Sequence, residues 1–203
     1  MNWLNRLKTS VLTVALLAAF IAWPARASAG EHQVWDEAHL FKLDTLDQVN
    51  ATLQQINERF DKDLMVETFA SIPDDFKQRY TDQDREKFYD GWAIAEARQL
   101  GINGILILIT GEPRHLHVVV GYDTRKVAFT LADRDELVSQ LTAAFRTKQY
   151  DAGIVAGAKF VHDRMTKNMA AAASSRPGPS TRPGATTGPS TQPAKKDDGP
   201  GSF

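Results

Sequence analysis

Asn103-Gly104-Ile105-Leu106-Ile107-Leu108-Ile109 decides how the chain folds. A strand with one wet face alternates apolar and polar residues, whereas an unbroken apolar run means that both faces are covered. The run from Ile105 to Ile109 is therefore a central strand with helices packed above and below. Thr110 to Arg114 contains Gly111 and Pro113 and reads as a hairpin turn. Leu116 to Val120 is then the antiparallel partner, ended by Gly121, and Val127 to Thr130 reads as a short additional strand.

Upstream of the central strand, Arg85 to Leu100 predicts a helix with Phe88, Trp92, Ala95 and Leu100 facing inward, and Gly101 is placed to end it in the left-handed conformation. Leu64 to Phe69 reads as a strand, broken by Ser71-Ile72-Pro73-Asp74-Asp75, and Phe76 to Gln83 as a turn or two of helix. Leu46, Val49, Leu53, Ile56 and Phe60 recur at steps of three and four, the signature of one helical face, with Asp44 as the expected N-cap and Asp47 as its partner. Glu31 to Phe41 precedes that helix, with Val34-Trp35-Asp36 extended.

Downstream, Leu137, Leu141 and Phe145 predict a helix over Asp135 to Tyr150, capped by Asp133 or Asp135. Ile154, Val155, Ala158, Val161 and Met165 predict a last helix beginning near Tyr150. Strands interleaved with helices around a doubly covered strand give the α/β class: a three-layer α/β/α sandwich on a mixed, roughly four-stranded sheet.

The two ends differ from this body. Arg6 and Lys8 precede a run from Val11 to Trp23 that is apolar apart from Thr13, and Pro24-Ala25-Arg26-Ala27-Ser28-Ala29 offers small-x-small cleavage sites after Ala27 or Ala29. The run is 13 residues long, short of the roughly 20 that cross a bilayer. Residues 1–29 are thus expected to be a Sec-type secretory signal, leaving the protein periplasmic or extracellular; an uncleaved signal would anchor it to the membrane. Residues 171–203 are Pro, Ser, Thr and Gly with a few charges, a composition too poor in apolar surface to offset the entropy of ordering, and read as a disordered tail. The domain between them spans 31–170.

There is no cysteine, so core packing alone must hold the domain in an oxidising compartment. With the signal and tail set aside, the domain carries 17 basic and 23 acidic residues, a net of −6. That balance argues against a nucleic-acid partner, which needs a basic face.

Four ordered motifs resemble the TPM domain family, named for thylakoid lumen, photosystem II and nematode receptor-modulator members and found in many exported bacterial proteins. They are Val34-Trp35-Asp36 before the first helix, Asn103-Gly104-Ile105-Leu106-Ile107, His117-Val118-Val119-Val120-Gly121-Tyr122, and Phe145 through Tyr150 to Gly153-Ile154. The likeness runs from about Val34 to Met165. Trp92-Ala93-Ile94-Ala95 stands where the family often has Trp-Gly-x-Gly, and Gly121-Tyr122-Asp123-Thr124 where it often has Gly-aromatic-Gly-x-Glu. The resemblance implies a cell-envelope role, calcium held in an acidic apical depression, and weak acid phosphatase activity in plant members. Asp36 and Asp123 match or neighbour the family's acidic positions, and Asp133 and Asp135 fall near its following aspartate.

Calcium takes six to eight oxygen ligands at about 2.3–2.6 Å. Asp36, Asp123, Asp133 and Asp135 sit at predicted element ends, where loops could gather them into such a site; the plain alternative is caps and solvated turns. Asp36 and Asp123 are also the candidate catalytic carboxylates of a metal-assisted phosphomonoesterase. His115-x-His117 puts two imidazoles on one strand face, a transition-metal pair if a third ligand joins them and otherwise the polar side of an edge strand. There is no Gly-x-Ser-x-Gly elbow and no Walker-type loop, and no organic cofactor is expected. The leading expectation is an exported envelope accessory protein, a module for envelope or membrane protein partners with calcium as its implied ion. A weak acid phosphatase and a structural stalk protein are the alternatives.

Overall fold

A computed structural model describes residues 33–175. The expected signal, and the tail beyond residue 175, lie outside the described residues. Among the described residues four strands, β1 (Val34–Asp36), β2 (Asp63–Phe69), β3 (Gly104–Thr110) and β4 (His115–Val120), form one sheet in the order β1-β2-β3-β4. β1, β2 and β3 run parallel, and β4 returns antiparallel to β3. Six helices accompany them among the described residues: α1 (Leu43–Phe60), α2 (Asp74–Lys77), α3 (Arg85–Gln99), α4 (Tyr122–Val127), α5 (Leu131–Arg146) and α6 (Tyr150–Ser174).

β3 is buried along its whole length, as its unbroken apolarity requires. Its odd-numbered residues, Ile105, Ile107 and Ile109, pack into a core with α1, α5 and α6. Leu106 and Leu108 point the other way, into a smaller aromatic core built on Tyr89 and Trp92 of α3. The result is the expected three-layer α/β/α sandwich. Each fully buried Val, Leu, Ile or Phe contributes about 1.5–3 kcal/mol, which is how a chain without disulfides holds together.

Gly104 is where β3 begins against β2, and no side chain fits there: a Cβ would lie 1.9 Å from the Asp63 carbonyl oxygen. Gly101 ends α3 at φ 67°, the left-handed turn expected of it.

Several elements depart from expectation. The fourth strand is β1, whereas Val127 to Thr130 is the end of α4 and the loop after it. Ala128 and Phe129 are apolar because they plug the core under α6, and the Ala128 and Phe129 amides both donate to the Thr124 carbonyl. α5 starts four residues earlier than predicted, because Thr130 rather than an aspartate caps it. The Thr130 hydroxyl accepts from the Asp133 amide while the Asp133 carboxylate accepts from the Thr130 amide, a capping box. That helix stops at Arg146, since the chain turns through Lys148 at φ 61° before α6.

α1 buries Val49, Leu53, Ile56 and Phe60 as its spacing predicts, but Asp44 lies inside its first turn. Its start is held instead by Asp151 of α6, which accepts from the Lys42 amide at 2.9 Å and the Thr45 hydroxyl at 2.7 Å. On α3 the buried face is Tyr89, Trp92, Ala93 and Glu96, one residue round from the predicted stripe. Apolar residues ring this helix because the segment around α2 covers its flank, with Phe76 stacked on Trp92 and Tyr80 edge-on to Phe88. α6 stays helical to Ser174, past the expected domain end at 170.

Candidate functional site

Three parallel strands finish at one edge of the sheet, here called the apex, and ligands of open α/β sheets bind outside those carboxyl ends. Asp36 ends β1 there, but its carboxylate is occupied in building the loop to α1. One oxygen accepts from the Leu40 amide at 3.0 Å and the Thr68 hydroxyl at 2.6 Å, and the other from the Phe41 amide at 3.0 Å. The Thr68 oxygen in turn accepts from the Ala38 amide. The loop passes through His39 at φ 51°, a conformation these bonds hold in place.

Beside that loop opens a cleft of about 480 Å³ over the β3–β4 turn. Leu40, Thr110, Gly111, Phe145 and Tyr150 are among the residues that line it. Arg114 from the turn and Arg146 from the last turn of α5 also line it. Neither arginine is ion-paired among the described residues. Sequence reading missed both, because an arginine in a turn and one at a helix end carry no signal that they share a cleft.

The cleft also touches Glu86 and His115, which belong to a second group of side chains. Glu86 and Asp90 stand one turn apart on α3, and His115 and His117 project from the same face of β4 beneath them. The His117 Nε2 lies 3.5 Å from an Asp90 oxygen and the His115 Nε2 lies 3.9 Å from a Glu86 oxygen. Donor atoms of Glu86, His115 and His117 all fall within 4.8 Å of one another, and no other trio of His, Asp or Glu does so among the described residues. Burial pushes the His115 imidazole below its usual range. Glu86 pulls the other way, while His117 and Arg85 add to the depression. The side chain that joins the His115-x-His117 pair is Glu86, legible only once α3 is known to lie over β4.

The four aspartates expected to share an ion are not brought together. β1 and β4 are opposite edges of the sheet, and Asp123 follows the end of β4 remote from the apex. With roughly 3.3 Å per residue along a strand and about 4.8 Å between strands, Asp36 and Asp123 are on the order of 20 Å apart. They cannot act on one phosphate or one ion. Asp123 is solvent-facing beside Lys126 at 3.8 Å, and Asp135 beside Arg134. α5 delivers its last turn to the apex cleft, so Asp133 and Asp135 at its start point toward the far end.

Asp133 serves structure. Its carboxylate accepts from the Thr130 amide and hydroxyl and from the Asn168 amide nitrogen at 2.9 Å, with Arg164 at 3.5 Å. Burial alone would raise its pKa. The Thr130 and Asn168 hydrogen bonds and the Arg164 charge outweigh that and hold it below the ordinary carboxylate value.

Comparison with known proteins follows the same outline. The structure resembles the N-terminal domain of a protein from P. gingivalis, with a TM-score of 0.55 at 20% identity, over 69% of this chain and 85% of that one. The N-terminal domain of a protein from Corynebacterium glutamicum aligns with a TM-score of 0.49 at 12% identity, over 67% of this chain and 80% of that one. No curated protein is matched by the sequence. The TPM domain matches residues 34–164, from the first residue of β1 into α6 and so through every strand of the sheet; the chain belongs to the TPM domain family.

Proposed function

We propose that the chain is an exported accessory protein of the cell envelope whose TPM domain docks a partner protein at its apex. The observation that carries this reading is the cleft of about 480 Å³ flanked by Arg114 and Arg146. A guanidinium is a planar fork that pairs with a carboxylate through two hydrogen bonds. The domain as a whole is net acidic, at −6, so an acidic group is repelled over most of the surface and drawn to a cleft that holds two arginines. The partner is accordingly an envelope or membrane protein presenting an acidic side chain or a terminal carboxylate. Export is supported by the basic and then apolar start of the sequence, with its small-x-small sites at Ala27 and Ala29.

The test is recovery of partners from the native envelope fraction with the parent chain and with Arg114→Ala/Arg146→Ala as baits. The double substitution removes the bound partner while leaving the circular dichroism spectrum unchanged. Equal recovery by both baits would defeat the reading. A stalk role would give the opposite pattern, surviving the double substitution and failing on removal of residues 176–203.

A further inference from the structure

We propose that Glu86, His115 and His117 form a binding site for a first-row divalent transition metal of zinc's class, on the face of the sheet opposite the main core. The helix supplies two carboxylates at i and i+4, and the strand beneath supplies two imidazoles at i and i+2. These are the two spacings that put side chains on one face of each element. The pairing of α3 with the edge strand β4 therefore confronts Glu86 and Asp90 with His115 and His117, and only Asp90 stands outside the trio within 4.8 Å.

The second observation is an orphaned atom. The His115 side chain is 10% exposed, and its Nε2 is buried with no hydrogen-bond partner. Buried polar atoms are nearly always satisfied, and leaving one unpaired costs about 1–3 kcal/mol. The Glu86 oxygen it faces is 3.9 Å away, too far for a hydrogen bond but close to a shared-ion spacing. Zinc bonds to nitrogen and carboxylate oxygen of roughly 2.0–2.2 Å place two tetrahedral ligands about 3.3 Å apart. A small movement of Glu86, which is 79% exposed, closes that difference.

The site is also held in shape before any ion arrives. The His115 ring stacks on Tyr89 with centroids 3.9 Å apart and planes at 22°, and the Tyr89 hydroxyl is tied to Thr110 at 2.8 Å. His115 and His117 are themselves nearly parallel, at 20°. Asp90, at 3.5 Å from the His117 Nε2, stands as a fourth ligand or as the group that orients that ring. Imidazole-rich donor sets suit zinc, copper and nickel, whereas calcium wants an oxygen cage of six to eight ligands, so this site excludes calcium by chemistry. Glu86 and His115 also border the apex cleft, which leaves an open side on the ion for water or a group from a bound partner.

The experiment is calorimetric titration of the tag-free chain with zinc and, separately, with calcium, plus the visible absorption of the cobalt-loaded chain. One zinc per chain is expected, with a cobalt spectrum of low-coordinate nitrogen–oxygen type. His117→Ala weakens zinc by more than the roughly 10–100-fold that loss of an outer-sphere partner costs. Glu86→Gln, on an exposed side chain that the fold does not need, weakens it as well, and His39→Ala changes nothing. Absence of zinc binding up to about 1 mM, or binding unaltered in both His117→Ala and Glu86→Gln, overturns the site.

Discussion

Replacing Asp36 by alanine separates a structural carboxylate from an ion ligand. The substitution removes three hydrogen bonds, those from the Leu40 amide, the Phe41 amide and the Thr68 hydroxyl. Bonds to a charged acceptor are worth about 1.5–3 kcal/mol each, but the three do not all count in full. Leu40 is a partly exposed residue whose amide can turn to water, whereas Phe41 is buried, and the Thr68 hydroxyl keeps the Ala38 amide as a donor to it. The Phe41 amide and the donor hydrogen of buried Thr68 have no such recourse. The expected loss is therefore about 3 kcal/mol, within the 5–15 kcal/mol typical of a domain, so the variant still folds. Urea denaturation reads the loss as a midpoint lowered by about 2 M at a slope near 1.5 kcal/mol/M. Asp36→Asn loses less, because its carbonyl oxygen can keep the Leu40 and Thr68 donors while its amide nitrogen confronts the Phe41 N–H. Reasoning from this loop is refuted if Asp36→Ala unfolds within about 0.5 kcal/mol of the parent, the range of an ordinary surface substitution. A parent chain stabilised by calcium, with the stabilisation lost in Asp36→Asn, would restore the ion-ligand role instead.

Gly104→Ala forces a Cβ to within 1.9 Å of the Asp63 carbonyl, so β2 and β3 must separate at their first pair; a loss of at least about 2 kcal/mol is expected by thermal or urea unfolding, in the range of overpacking costs. Stability falls as acid protonates Asp133: its folded pKa lies below the unfolded value near 3.9. The contribution is thus complete above that value and disappears as pH drops through the folded one. Asp133→Asn flattens this part of the acid-unfolding curve, which urea midpoints between about pH 5 and pH 2 will show. Zinc added to the parent chain at 100 times its dissociation constant stabilises it by about 2.7 kcal/mol, and a chelator reverses the shift in differential scanning fluorimetry.

How far the sequence could be read depended on how local each cause was. β3 and α1 were legible because their periodicity states how many faces are covered. Their neighbours were harder where apolar residues served two surfaces. α3 carries Phe88 outward against Tyr80 and Tyr89 inward against His115, so no single stripe marks its inner face. Ala128 and Phe129 look like strand residues but are a core plug between helices. The capping of α1 by Asp151 links positions 109 residues apart, beyond any local pattern.

The candidate site failed in sequence for a topological reason. Asp36 ends β1 and Asp123 follows β4 in the first turn of α4, and only strand order and direction reveal that these are opposite ends and opposite edges. The same topology, by laying α3 over β4, turns His115-x-His117 from a bare pair into a trio with Glu86. Arg114 and Arg146 meet for a similar reason, since the β3–β4 turn and the end of α5 converge at the apex.

Site-specific photo-crosslinking in intact cells tests the docking account most directly. A photoreactive residue at Thr142, in the apex cleft, is compared with one at Tyr122, exposed at the far end of the sheet. The account predicts a discrete adduct from position 142 in the envelope fraction and none from 122. An adduct from 122 alone, or no adduct from 142 in any envelope fraction, contradicts it.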